Sequence, residues 1–338
     1  MPGPGVPRSP EAPATAPTRS AGMGRRAVLA GAAGLALGVP GCGTAPPRNA
    51  MGSGPPSPAA GLPRPAAWRP DPSDVRPDVK LRAVQLVEAL GTWREGAGGV
   101  AKARERVAAL GLPPALAGRA GPLLSGADAA VVQVVDAQYG GILAGSASVL
   151  VVCRQWTRTG GGPVVEGGTT VDVRLTSGEP RWSVGELHPA EPGPAAASLP
   201  EEARRVLADD RIRLPAAAEA DIRSGGVHAS VLRAMLRLAE RYRIDVSVVR
   251  SGHPLNVFGT GRPSDHPPGR AFDVWRIDGR AVVDRATPRP LVEAFMRDAA
   301  AAGSYNVGGP LVPAGAGAGR QFFSDDTHHD HVHAGFAG

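Results

Sequence analysis

The most constraining feature of the sequence is an alternation of histidines with apolar residues at its C-terminal end. His331 and His333 are separated and followed by apolar residues, namely Val332, Ala334 and Phe336. In an extended strand, successive side chains point to opposite faces of the sheet. The alternation therefore predicts a strand that buries its apolar face and presents two imidazoles on the other face.

A second group of histidine and carboxylate side chains lies upstream, around a tight turn. His266 precedes Pro267-Pro268-Gly269, a strong turn signal, and Asp273 follows on a predicted strand over residues 270–275. The turn allows His266 to face Asp273. Histidine and aspartate are common zinc ligands, and a set of three protein ligands leaves one tetrahedral position open, as in catalytic sites. We therefore predict a Zn²⁺ site formed by His266, Asp273 and His333.

These motifs resemble those of the zinc D-Ala-D-Ala carboxypeptidase and murein endopeptidase family, which shares the Hedgehog/DD-peptidase fold. The family pattern SxHxxGxAxD is matched by Ser264, His266, Gly269, Ala271 and Asp273. The terminal HxH of the family is matched by His331 and His333, and the resemblance extends from Val231 onward. It implies an α+β domain with helices packed on an antiparallel sheet, one zinc ion, and hydrolysis of peptide bonds in peptidoglycan stem peptides or cross-links.

The resemblance also implies roles for residues beside the metal ligands. Arg250, at the end of a predicted strand over residues 244–249, is expected to stabilise the oxyanion. Some murein endopeptidases carry a histidine five positions before the last ligand, where this chain has His328. We expect His328 to assist Arg250. His253, in the loop that follows, is expected to position the loop rather than bind metal.

The catalytic base is predicted to be His331 and not Asp330. Many carboxypeptidases of the family use a glutamate three positions before the last ligand, where this chain has Asp330. The chain is thus more similar to the endopeptidases. Period-two alternation places His331 on the same face as His333 and Asp330 on the opposite face, and an imidazole titrates near neutral pH without large tuning.

The sequence is also compatible with two other functions. The first is a degenerate peptidase that binds peptidoglycan and scaffolds cell-wall assembly without cleaving it. The second is a histidine-rich, metal-binding lipoprotein without catalysis. A nucleic-acid site is not expected, because the net charge of +6 comes from arginines scattered among acidic residues rather than clustered on one stretch.

The first 42 residues resemble the leader of an actinobacterial-type lipoprotein. Arg25-Arg26 precede an apolar run over residues 27–39, which describes a secretory signal and is compatible with twin-arginine export. Residues 39–42 resemble a bacterial lipobox, in which Cys42 is lipidated. The apolar run is shorter than the roughly 20 residues that a spanning helix needs. We expect export and a lipid anchor on the outer face of the cytoplasmic membrane.

Composition and periodicity divide the rest of the chain. Residues 43–77 are rich in proline, glycine and alanine and are predicted to form a disordered linker. Residues 78–190 show helical periodicity followed by strand-like segments, and they resemble an NTF2-like α+β domain. Within them, Cys153 is expected to be buried and not nucleophilic. Residues 191–200 form a second predicted linker.

Residues 201–338 are predicted to form the zinc peptidase-like domain. Helical periodicity and helix-boundary signals predict three helices in it, over residues 201–208, 228–242 and 288–302. Because the metal motifs are complete within this domain, we expect residues 78–190 to be dispensable for the chemistry.

The lipid anchor is tested by replacing the cysteine of the predicted lipobox. We expect Cys42→Ser protein to leave the membrane fraction, because it lacks the thiol to which a lipid attaches. Cys153→Ser protein, which changes the other cysteine of the chain, should stay with the membranes. Cell fractionation followed by immunoblotting measures both, and membrane retention of the Cys42→Ser protein would contradict the anchor.

Overall fold

The computed structural model describes residues 61–316 and 321–338. The predicted signal peptide, with Arg25-Arg26 and Cys42, lies outside the described residues, so export and lipidation stay predictions. Within the described ranges, no helix is both long enough and apolar enough to cross a membrane.

The N-terminal region, residues 61–190, folds as helices followed by a four-stranded sheet. Its elements are α1 (Pro77–Gly91), α2 (Gly99–Ala109), two 3₁₀ helices (Pro114–Arg119 and Gly121–Leu123), β1 (Ala129–Ile142), β2 (Ser146–Arg158), β3 (Val165–Thr176) and β4 (Ser183–Pro189). The strands pair in sequence order, each antiparallel to the next. Pro77 begins α1, where a missing N–H costs no hydrogen bond. This is the order of helices and strands that the sequence predicts.

The C-terminal region, from residue 191 onward, packs helices on a second sheet. Its elements are α3 (Glu201–Ala208), β5 (Ile212–Arg213), α4 (Ala216–Arg223), α5 (Ala229–Ala239), β6 (Ile244–Val248), β7 (Ala271–Ile277), β8 (Arg280–Ala281), α6 (Arg289–Ala301), β9 (Asn306–Gly308), β10 (Phe322–Phe323) and β11 (Val332–Gly335). The strand order is β10-β9-β11-β7-β6-β5, and β8 pairs with β7. The structure is thus α+β, as the sequence predicts.

The second sheet is mixed, which corrects the expectation of an antiparallel one. Its central strands β9, β11, β7 and β6 are antiparallel, whereas β10 pairs with β9 and β5 pairs with β6 in parallel. The parallel pairs are two residues long and lie at the sheet edges. Segments this short carry no periodicity from which their direction could be predicted.

The register between β7 and β11 brings two predicted metal ligands together. His333 lies directly opposite Asp273, and Val332 lies opposite Val274. Val332 and Ala334 are buried in the core beneath the sheet, so the imidazole of His333 points to the other face, as the alternation predicts.

Each region has its own hydrophobic core. In the N-terminal region, the apolar stripe of α1 packs with the sheet, and Leu86, Leu90 and Val149 are fully buried. In the C-terminal region, Leu232 and Phe272 lie between helices and sheet. Cys153 is buried in the first core, as predicted, and burial raises the pKa of its thiol to about 11. At the candidate site the two regions meet through buried polar groups and also through apolar ones such as Phe258, which lies against Gly141.

The second part of the linker predicted over residues 43–77 is not a free linker but makes fixed contacts with the rest of the chain. Residues 61–77 are described, and within them Asp74 is buried against Lys80. The Val75 N–H donates to His329 Nε2 at 3.0 Å. A composition rich in proline and glycine predicts the lack of regular secondary structure, and this segment shows that it does not exclude fixed tertiary contacts.

Gly269, in the turn between His266 and Asp273, is the glycine that the fold requires most strictly. Its φ is +75°, and a Cβ there would lie 2.0 Å from the backbone oxygen of Gly226. Gly279 has a similar φ of +77° but open space around it. Gly279→Ala should therefore cost only the left-handed backbone penalty of about 1–2 kcal/mol in the free energy of unfolding.

Gly269→Ala should cost more than Gly279→Ala, because a backbone carbonyl cannot rotate away from the new methyl group. Urea denaturation of both variants measures the difference. Equal losses of stability would contradict the close approach of Gly269 to Gly226.

Candidate metal centre

Three ligand atoms converge at the open face of the second sheet. His266 Nε2 lies 3.2 Å from Asp273 Oδ1 and 3.1 Å from His333 Nδ1, and His333 Nδ1 lies 3.0 Å from Asp273 Oδ1. In a tetrahedral zinc site with ligand distances near 2.0–2.2 Å, ligand atoms are about 3.3 Å apart. The structure thus brings the three predicted ligands into a triangle of nearly the size that one metal ion needs.

The hydrogen bond made by His266 Nδ1 assigns Nε2 as the unprotonated nitrogen of the neutral ring. His266 Nδ1 is 2.9 Å from the carbonyl oxygen of Val249, and only a protonated nitrogen can donate to a carbonyl, which assigns the tautomer. Nε2 therefore presents a lone pair to Asp273 Oδ1, another lone-pair atom. Two such atoms at 3.2 Å repel each other unless a cation or a proton lies between them.

The charges of the other two ligands also fit a divalent cation. Burial alone would raise the pKa of Asp273, but the neighbouring His266 and His331 hold that pKa well below its usual range. Burial lowers the pKa of His333 to about 4, against the pull of Asp273. Asp273 is thus a carboxylate and His333 a neutral imidazole, the protonation states that zinc ligands need.

His253 lies close to the ligands but is oriented differently. Its ring stacks on His266, with the ring centroids 4.0 Å apart and the planes 19° apart. Histidine lone pairs lie in the ring plane, so two nearly parallel rings cannot both point at one ion. The rings of His266 and His333 are inclined by 54° and can do so. His253 thus packs against a ligand, whereas the sequence suggested only a loop position.

His331 lies beside the ligands, and Asp330 lies behind it. The His331 Nδ1–H donates to Asp330 Oδ1 at 2.6 Å, and His331 Nε2 is 3.8 Å from Asp273 Oδ2. Although burial opposes it, Asp273 and Asp330 raise the pKa of His331 above its usual value. Both residues precede β11, and their side chains are in direct contact, so the expectation that they lie on opposite faces of a strand is corrected.

His328 is brought to the site and Arg250 is not. The His328 ring lies 5.2 Å from His331 and 5.7 Å from His333, measured between centroids. The Arg250 guanidinium instead donates to the carbonyls of Pro267 at 3.3 Å and Pro192 at 3.2 Å.

Arg250 follows β6 in a turn, and its side chain is directed toward the predicted linker over residues 191–200. That linker lacks regular secondary structure, as predicted, but it is packed against Arg250. The expectation that Arg250 stabilises an oxyanion is therefore corrected. Among the described residues that line the metal-site cavity, Arg262 is the one arginine.

The ligands open into a cavity of about 960 Å³, which we call the metal cleft. Its walls come from the end of β1, the loop before His266 and the segment before β11, and its aromatic residues include Phe258, Phe322 and Phe323. A cavity of this size is in the upper range of ligand sites in proteins. His266, Asp273 and His333 all line this cavity, so a molecule in the metal cleft can approach them.

Two site residues that sequence reasoning missed come from the N-terminal region. Gln138 on β1 donates from Nε2 to Asp273 Oδ2 at 2.7 Å, and its Oε1 accepts a hydrogen bond from Ser247. Lys80 on α1 contacts Asp330 at 2.6 Å. The expectation that residues 201–338 hold the whole site is corrected, because a glutamine in a strand and a lysine in a helix give no sequence signal of such distant contacts.

No protein-family model, no curated protein and no solved structure matches this chain.

The ligand set is tested by comparing two histidines that lie on either side of His266. His333→Ala should lose stoichiometric zinc, because it removes one of three converging ligands. His253→Phe keeps an aromatic ring stacked on His266 and should retain one zinc per chain. Elemental analysis after dialysis against zinc-free buffer measures both. Retention of zinc by the first variant together with its loss in the second would show that His253 is the ligand.

Proposed function

We propose that the protein is a zinc-dependent hydrolase that cleaves peptide bonds in peptidoglycan stem peptides or cross-links. The observation that carries the proposal is the convergence of His266, Asp273 and His333 to 3.0–3.2 Å beside a buried imidazole, that of His331, in an open cleft. A three-residue ligand set next to a histidine with a free nitrogen is the arrangement that hydrolysis needs.

The side chains around the centre have distinct proposed tasks. Zinc held by the three ligands would act as a Lewis acid that activates water and polarises a scissile carbonyl. His331 accepts a proton at Nε2 and later gives it to the leaving amine, since Nδ1 is already occupied by its bond to Asp330.

His328 is the proposed donor to the oxygen that gains negative charge. The role requires the imidazolium form, in which both ring nitrogens carry hydrogens: Nδ1–H donates to Asp325 Oδ1 at 2.7 Å, and Nε2–H is the donor to this oxygen. The His328 ring lies next to those of His331 and His333. Arg250 has no part in this proposal, because its guanidinium is bonded elsewhere.

Three features support a peptide of the cell wall as the substrate. The SxHxxGxAxD and HxH motifs resemble those of zinc murein peptidases, and the leader sequence resembles that of an exported lipoprotein. The volume of the metal cleft, about 960 Å³, is large enough for a peptide segment, and the exposed Arg262 in its lining is suited to bind a carboxylate. We also propose that the N-terminal region is an NTF2-like domain and that the protein is anchored to the outer face of the cytoplasmic membrane.

The test is incubation of the zinc-loaded chain with purified peptidoglycan, with products identified by mass spectrometry. We expect cleaved stem peptides or cross-links. His331→Ala should keep its zinc and lose about 100-fold to 10,000-fold in kcat, the contribution typical of a general base.

The matched control is His188→Ala, which removes a half-exposed histidine that contacts Glu186 on β4, away from the cleft. It should cleave as the wild type does. A zinc-loaded wild type that binds peptidoglycan without cleaving it would support the scaffolding alternative. Binding of several metal ions per chain without cleavage would support the metal-binding lipoprotein.

A further inference from the structure

A lysine from the N-terminal region is buried behind the proposed base. Lys80 on α1 is 2% exposed, and its Nζ lies 2.6 Å from Asp330 Oδ2 and also bonds to Asp74. Lysine is almost never fully buried unless it is paired. Burial alone would lower the pKa of Lys80, but Asp330 and Asp74 raise it above its usual value, so the ammonium group is charged.

Asp330 links this lysine to the metal centre. One of its oxygens, Oδ1, accepts the His331 Nδ1–H at 2.6 Å. The other, Oδ2, is held by Lys80 at 2.6 Å and accepts the Tyr139 N–H at 3.2 Å. A carboxylate is planar, so the groups that hold Oδ2 also determine where Oδ1 lies and in which direction it faces His331.

Lys80 is held rigidly enough to impose this geometry. Its neighbours on α1, Val79, Ala83 and Val84, are fully buried in the core of the N-terminal region. Its ammonium group lies 5.2 Å from the centre of the Tyr139 ring. The position of Nζ is therefore determined by a helix that belongs to a different hydrophobic core from the metal ligands.

We propose that Lys80 is a positioning residue for His331: by holding Asp330 Oδ2, it keeps Asp330 Oδ1 against His331 Nδ1–H and the unprotonated His331 Nε2 toward the metal cleft. The proposal rests on the proposed function, in which His331 is the base. It makes the N-terminal region a part of the reacting site.

A metal ion at the same cluster is the competing explanation. Asp74, His329 and Asp330 offer ligand atoms within 4.8 Å of one another. Lys80 bonds to both of these carboxylates, and His329 uses both ring nitrogens, which contact Asp326 O at 2.7 Å and the Val75 N–H at 3.0 Å. The cation of this cluster is therefore the ammonium group of Lys80.

The experiment compares Lys80→Met with the wild type in the zinc-loaded full chain. Methionine keeps most of the side-chain volume and removes the charge. We expect one zinc per chain, a fall in kcat of about 10-fold to 100-fold, as for other groups that orient a reacting residue, and little change in KM, because Lys80 does not line the cleft. The ring ¹⁵N signals of His331, assigned with His331→Ala, should shift away from those of an Nδ1–H tautomer.

Arg82→Met is the matched control. Arg82 is a cation on the same helix, 7% exposed, and donates to the carbonyl of Trp182 at 3.0 Å, outside the site. We expect Arg82→Met to lose stability while kcat and the His331 signals stay as in the wild type. An unchanged kcat in Lys80→Met, or an equal fall in both variants, would overturn the proposal.

Two further measurements test the proposal if Lys80→Met does not fold or if the wild type is inactive. If Lys80→Met does not fold, Lys80→Met/Asp74→Asn, which removes one positive and one negative charge together, is measured with the same readouts. If the wild type does not cleave peptidoglycan, the proposed function fails, and the ¹⁵N signals decide on Lys80 alone. Signals that move in Lys80→Met then support positioning, and signals that stay unchanged overturn it.

Discussion

The structure depends above all on the antiparallel register between β7 and β11, which sets His333 opposite Asp273. Side chains at such positions have Cβ atoms about 4.5–5.5 Å apart, close enough for both to reach one ion. Val332 and Ala334, on the other face of β11, are at most 1% exposed. A slip of one residue would move them into the cleft and the imidazole of His333 into the core, so the hydrophobic burial that stabilises the fold also sets the geometry of the candidate metal centre.

The two regions meet at this site partly through buried polar groups, and the cost of burying such groups explains why most of them are so completely bonded. A buried charge or amide without a partner is strongly destabilising, and Lys80, Gln138 and Asp330 each make at least two contacts. Asp136 is different, because its Oδ2 has no partner among the described residues. Burial raises the pKa of Asp136 to about 7, and a carboxyl that is partly protonated near neutral pH costs less to bury than a carboxylate.

The α+β class and the convergence of His266, Asp273 and His333 could be predicted from the sequence because their signals are local. His266 and Asp273 flank one turn, and His333 belongs to one alternating strand. The position of Arg250 could not be predicted, since the direction of a side chain in a turn is decided by whichever carbonyls pack nearby. Lys80 could not be predicted either: 250 residues separate it from Asp330, and a lysine in an amphipathic helix usually indicates a solvated surface.

The histidines of the C-terminal segment differ in how many of their ring nitrogens are bonded, and this difference separates a structural role from a chemical one. His329 donates from Nδ1 to the Asp326 carbonyl and accepts the Val75 N–H at Nε2, so both of its nitrogens are used. His331 is bonded through Nδ1 alone among the described residues, because its Nε2 is 3.8 Å from Asp273 Oδ2, beyond hydrogen-bond distance. His331 lines the metal cleft, so this nitrogen is open to whatever enters it. A free nitrogen beside the candidate ligands is what the proposed reaction requires of His331.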